Sequence, residues 1–134
     1  MPFWKDSVSG CMTLNIRRPP ENTPDISEIY TLLYRLGLTA NYTGFFHTSY
    51  AVYLAAQQPD RLLLATKWLY PEVAKHYATT WKCVERNIRT AVHVVWNTNP
   101  ELLKALARHP LTQKPKASKF LSILALHFSL ESAA

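Results

Sequence analysis

A chain of 134 residues, 48% of them hydrophobic, is long enough for one domain with its own core and too short for two ordinary domains. Its net charge of +6 favours a polyanionic partner such as nucleic acid or an anionic membrane surface. The two cysteines, Cys11 and Cys83, are far apart, which argues against a zinc site or a disulfide framework, and no apolar run is long enough for a membrane span or a signal peptide.

The periodicity of the apolar residues predicts an all-α protein. From residue 24 onward they recur at intervals of three and four, and no segment alternates strictly. The three glycines, at positions 10, 37 and 44, form no phosphate-binding loop. Residues 1–23 lack the helical period, so we interpret them as an N-terminal extension of unknown order and residues 24–134 as the helical domain.

The first helix has well-marked ends. Thr23 is the expected N-cap, Pro24 lies in the first turn, and Gly37 ends the helix. Its predicted apolar face consists of Ile26, Ile29, Leu33 and Leu36.

A second helix is predicted from about residue 44 to residue 57, ending on the approach to Pro59. A third begins near Asp60 and carries three consecutive leucines. We expect the second helix to bury Phe46, Tyr50, Tyr53 and Leu54.

The middle of the chain predicts a helix-turn-helix over about residues 69–96. The segment LYPEVAKHY gives a short helix with Pro71 acceptable in its first turn, and Ala78, Thr79 and Thr80 give a three-residue turn before a long helix. Val73 and Val84 should join the two helices, with Ala74 at their close crossing. A further helix starts at residue 99 or 100, and a last amphipathic helix follows the basic loop LTQKPK.

The long helix has two opposite faces. At about 100° per residue, one arc collects Val84, Ile88, Ala91, Val92 and Val95. The other collects Lys82, Glu85, Arg86, Arg89 and His93.

The polar arc suits base reading in the major groove. Arginine bonds bidentately to guanine and a carboxylate accepts from cytosine, so Arg86, Arg89 and Glu85 form a set suited to G·C pairs, and Lys82 could contact base or phosphate. The alternative is a solvated face with one Glu85–Arg89 pair at i,i+4 spacing. Phosphate contacts are expected around this helix, from its first-turn N–H groups and from nearby side chains, namely Lys75, His76, Thr79, Thr80, Trp81, His93, Lys114 and Lys116.

Other chemistry has weak support in the sequence. The five histidines are scattered without ligand spacing or carboxylate partners, so we predict neither an enzyme, nor a metal site, nor a cofactor. We expect His47 and His127 to be partly buried. The aromatic residues, at helical spacing, are expected in the core, namely Tyr30, Tyr34, Tyr42, Phe45, Phe46, Tyr50, Tyr53, Trp68 and Trp96; Trp81, at the start of the long helix, is the exception.

Four strings in this order, LLYRLGLTANYTGFFHTSYAV, TKWLYPEVAKHYATT, CVERNIRTAVHVVW and QKPKASKFLSILALHFSLE, resemble the C-terminal effector domain of the sporulation-initiation response regulator, stage zero sporulation protein A. The similarity covers about residues 26–131. The resemblance implies six helices with an embedded helix-turn-helix, and binding to a TGTCGAA-type box, commonly as tandem copies that meet with the help of the last helix. We expect contacts between protomers at Phe120 and Leu124 if those side chains are exposed. Glu85, Arg86 and Arg89 match the base-reading residues of that family.

The chain departs from the family pattern in the motif. The family has Ser and Arg at the positions of Lys82 and Cys83 and His at the position of Thr90, a further reading position, so the preferred box can differ. Ala78 replaces an Asn in the turn, and a left-handed Ala there would cost about 1 kcal/mol or more.

The resemblance also implies a phosphoacceptor receiver domain upstream, which 25 residues cannot hold. We therefore expect no control by phosphorylation within this chain. The expected location is bacterial, cytoplasmic and nucleoid-associated.

Two functions follow from the sequence. The first is a sequence-specific double-stranded DNA-binding transcription regulator. The second is a receiver-less module that pairs with a full-length regulator through the last helix and modulates it.

Overall fold

The structure is a computed structural model that describes residues 25–133; the predicted extension over residues 1–23 lies outside this range. Within it the chain forms seven α-helices and one 3₁₀ helix, and no strand. The single-turn α3 is the addition to the six helices that the resemblance implies. The elements are α1 (Ile26–Arg35), α2 (Thr43–Gln57), the 3₁₀ helix (Pro59–Leu64), α3 (Ala65–Trp68), α4 (Tyr70–His76), α5 (Trp81–Thr98), α6 (Pro100–Ala107) and α7 (Ala117–Ala133).

Helix α1 begins two residues later than predicted, because Asp25 and not Thr23 is its N-cap. The carboxylate of Asp25 accepts from the Ser27 N–H at 3.4 Å, and Glu28 Oε1 accepts from the Asp25 N–H at 2.9 Å. This reciprocal pair is a capping box. The predicted stop is confirmed, since Gly37 follows the helix with φ of +94°.

Helix α2 is the central helix and packs against α1, α4, α5, α7 and the 3₁₀ helix. The prediction that it buries one face of large residues is wrong, because a helix packed on several sides buries its small residues together with the rings of Phe45 and His47. Its buried apolar residues are Phe45, Ala51, Val52 and Ala55. The four residues expected there are exposed (Phe46) or half-buried (Tyr50, Tyr53 and Leu54).

The third predicted helix is split into the 3₁₀ helix and α3. Leu63 and Leu64 are exposed and Leu62 is half-buried, since consecutive residues of a short 3₁₀ helix point in different directions and cannot all face the core. Trp68 is exposed too, so its predicted place in the core is wrong, as it is for Tyr34 and Tyr42.

The core lies where α2, α5 and α7 meet. The inner face of α5 is buried as predicted, by Val84, Ile88, Ala91, Val92 and Val95. Asn99 caps α6, with its Oδ1 accepting from the Leu102 N–H at 3.3 Å, and its Nδ2 donates to the Arg35 carbonyl at 2.8 Å, which fixes the end of α5 against α1. None of the described helices is long and apolar enough to cross a membrane.

Candidate nucleic-acid interface

The turn between α4 and α5 places the two helices as a helix-turn-helix. Val73 and Val84 are fully buried between them and Ala74 is nearly so, as predicted. Ala78 has φ of 55°, in the left-handed region, so the energetic cost expected of a left-handed alanine applies at this position. The Thr79 N–H donates to the Ala74 carbonyl at 2.9 Å, which closes the turn.

Thr80 is the N-cap of α5. Its backbone is extended and its hydroxyl oxygen accepts from the Cys83 N–H at 3.2 Å. The cap leaves the positive end of the helix dipole at the surface beside the half-buried Thr79. A phosphate placed there meets backbone N–H groups and no acidic side chain of the first turn.

The outer face of α5 presents the predicted cationic residues. Lys82, Arg86, Arg89 and His93 are exposed, and Glu85 is half-buried. Because the opposite face is buried in the core, the helix cannot rotate and this face stays turned outward.

Glu85 and Arg89 contact each other along the helix. Arg89 Nη2 lies 3.5 Å from Glu85 Oε1, with the side chains 64% and 31% exposed respectively. A pair this exposed contributes at most about 0.5 kcal/mol. The interaction therefore orients Arg89 without preventing it from exchanging its partner for a base.

Two contacts restrain exposed side chains of α5. Lys82 Nζ lies 5.8 Å from the centre of the Trp81 ring, which is 38% exposed. The Thr90 hydroxyl donates to the Arg86 carbonyl at 3.1 Å, so it is bonded to its own helix in this state. Trp81 thus restrains the lysine that could contact base or phosphate.

A polar cluster beneath the outer face was not predicted from the sequence. Asn87 Nδ2 lies 3.5 Å from Cys83 Sγ and 3.3 Å from His47 Nδ1. A hydrogen bond with the Thr79 side chain, with smaller contributions from Arg86 and Asn87, lowers the pKa of the Cys83 thiol. His47 was expected to be partly buried and is buried in the structure. This burial lowers the pKa of its imidazole ring.

At the end of α4, Lys75 is exposed and His76 stacks on Tyr50, with ring centres 4.1 Å apart and planes at 16°. Burial lowers the pKa of His76, so at neutral pH it offers a phosphate an N–H donor and no charge.

The loop between α6 and α7 lies against α5. Lys114 Nζ is 3.4 Å from His93 Nδ1, and His93 Nε2 is 2.9 Å from the side-chain amide of Asn97. Lys116 is exposed two residues further on. The structure therefore places the predicted phosphate contacts His93 and Lys114 side by side.

The predicted dimer contacts are corrected by the structure. Phe120 and Leu124 are both 0% exposed, because α7 turns them into the core against the rest of the bundle. An amphipathic pattern does not tell whether its apolar face meets the same chain or a second one. Neither side chain can contact a partner while α7 is packed.

A family model described as "Sporulation initiation factor Spo0A C terminal" matches residues 29–128, which is most of the chain and includes α4, the turn and α5.

Proposed function

Because the chain belongs to the family of Spo0A C-terminal domains, the DNA-binding effector domains of a sporulation regulator, we propose that it is a sequence-specific reader of double-stranded DNA. In this proposal α5 enters the major groove with its outer face toward the bases. The observation that carries it is the exposed pair Arg86 and Arg89, placed one turn apart on a helix whose opposite face is fixed in the core.

Base reading is assigned to the outer face of α5. Arg86 and Arg89 are long enough to bond guanine O6 and N7, and Glu85, adjacent to Arg89, can accept from cytosine N4. The preferred site is then a G·C-containing box of the TGTCGAA type. Lys82 and Thr90, the positions where this chain departs from the family pattern, tune the choice of box.

Most of the affinity comes from phosphates. The capped N-terminus of α5, the end of α4 and the basic loop between α6 and α7 supply the donors. These contacts position the helix and make binding steeply dependent on salt, while carrying no sequence information. They are Lys75, His76, Thr79, Thr80, Trp81, Lys114 and Lys116.

Pairing of two copies on tandem boxes remains a prediction of the resemblance, and it needs a contact other than Phe120 and Leu124. The same burial removes support from the alternative that this chain acts as a pairing module through its last helix. DNA binding is therefore the proposed function.

Fluorescence anisotropy with a duplex carrying tandem TGTCGAA boxes, against a scrambled duplex of equal length, tests the proposal. Specific reading predicts binding to the box that is tighter by about 10³-fold or more, with a steep salt slope. Equal and weak binding to both duplexes would contradict reading of this box.

A further inference from the structure

His93 has both ring nitrogens in contact with other side chains. Nδ1 lies 3.4 Å from the ammonium nitrogen of Lys114, and Nε2 lies 2.9 Å from the amide of Asn97. An ammonium group only donates, so Nδ1 must be the unprotonated nitrogen that accepts from Lys114. Nε2 then carries the proton, so the Asn97 amide, whose nitrogen is placed 2.9 Å away, must be turned to present its oxygen as the acceptor.

This contact joins two elements that are far apart in sequence. His93 is on α5, one turn after Arg89 on the same exposed face, which is about 6 Å along the helix axis. Lys114 is on the loop between α6 and α7, and the next residue, Pro115, is buried, as is Ala117. The loop is thus fixed to the core on one side and held to α5 on the other.

The segment that carries the loop has charge of one sign. No Asp or Glu occurs between Glu101 and Glu131, whereas five Lys and Arg residues do. They are Lys104, Arg108, Lys114, Lys116 and Lys119. A uniformly cationic loop that lies beside a groove-reading helix fits a polyanion running past that helix.

We propose that His93 is a positioning residue that holds Lys114 beside the outer face of α5, so that the loop over residues 108–116 contacts the DNA phosphates next to the groove occupied by Arg86 and Arg89. The inference rests on the proposed function and replaces the direct phosphate contact first expected of His93. His93 acts on DNA through Lys114.

The test is the salt dependence of duplex binding, which counts phosphate contacts. Lys114→Ala should make the slope of log K against log salt shallower by about 0.9, the loss of one contact. His93→Ala should change the slope in the same direction, and the double variant should match Lys114→Ala alone. His93→Gln, which keeps an acceptor for the ammonium group, should restore the wild-type slope.

Arg35→Gln is the matched control for lost charge. Arg35 is exposed on α1 and has no DNA contact assigned to it, and its backbone carbonyl is bonded by Asn99 and not by His93 or Lys114, so the slope should not change. A wild-type slope in His93→Ala, or additive effects of the two substitutions, would overturn the positioning role.

The two proposals fail separately. Phosphate contacts do not depend on base sequence, so the slopes are measured on the scrambled duplex as well as on the box. If the chain shows no preference for the box but His93→Ala and Lys114→Ala change the salt slope non-additively, only base reading is contradicted. If the box is preferred but the two substitutions change the slope independently, only the role of His93 is contradicted. A chain that binds neither duplex contradicts both.

Discussion

The side-chain nitrogen of Asn87 lies 3.3 Å from Nδ1 of His47, which hydrogen-bonds α5 to the central helix α2 at the position next to Arg86. Close by, Gly44 of α2 packs directly against the backbone carbonyl of Asn87. The outer face of α5 is therefore aimed by a close helix crossing as well as by its buried valines.

Gly44→Ala should destabilise the domain and weaken DNA binding. The added methyl group would overlap the Asn87 carbonyl, which is backbone and cannot move alone, so α2 and α5 must separate. Overpacking of this kind costs about 1–3 kcal/mol. Urea unfolding measures the loss of stability. The control is Ala56→Gly, at a half-buried position of the same helix, which measures the Ala-to-Gly difference in helix propensity alone, about 1 kcal/mol. A Gly44→Ala variant as stable as the wild type would refute the close crossing.

Ala78→Asn should stabilise the protein. Ala78 has φ of 55°, a conformation that costs an alanine about 1–2 kcal/mol and that asparagine tolerates better. Thermal unfolding should show a higher midpoint. The same change at Ala105, exposed within α6, should lower stability by about 0.5 kcal/mol, since asparagine is the poorer helix former. If the change to asparagine shifted stability in the same direction at both positions, strain at Ala78 would be contradicted.

Stability should fall on mild acidification. Burial lowers the pKa of His47 and of His76 below 6.5, the ordinary value that the unfolded chain has. Just below pH 6.5 the unfolded state thus binds more protons, and the stability present above that pH is lost as pH falls through the folded-state pKa values. Urea midpoints at pH 7.5 and 5.5 measure this.

The variant His47→Gln, together with His76→Gln, should reduce that dependence on pH while keeping a side chain that can bond Asn87. If the wild type became more stable at pH 5.5, the assignment of both rings as neutral in the folded state would be wrong.

Alkylation of Cys83 should block DNA binding. The Thr79 hydrogen bond and Arg86 lower the pKa of the thiol, which raises its thiolate fraction and its reactivity. The adduct would stand beside Arg86 on the reading helix. In a Cys11→Ser background, iodoacetamide should abolish box binding, prior addition of duplex should slow the reaction, and the further change Cys83→Ser should confer resistance. Full modification with unchanged affinity would place Cys83 away from DNA.

The sequence predicts local features of this molecule well. The turn residues and the two faces of α5 follow from propensity and period, which depend on neighbours in the chain. Tertiary contacts could not be predicted from the sequence. Asn87 meets His47 across 40 positions and Lys114 meets His93 across 21, and no period links such pairs. The burial of Phe120 within its own chain could not be predicted for the same reason, because an amphipathic pattern identifies an apolar face but not the element that packs against it.

The most direct measurement of the central claim is the ratio of affinities for the tandem TGTCGAA duplex and the scrambled duplex, in the wild type and in Arg86→Ala. If Arg86 reads a base, the variant should lose about 1–3 kcal/mol on the box and little on the scrambled duplex, with the salt slope nearly kept. If the ratio stays at the wild-type value, or if both affinities fall equally, α5 does not read the box through Arg86 and the account is wrong.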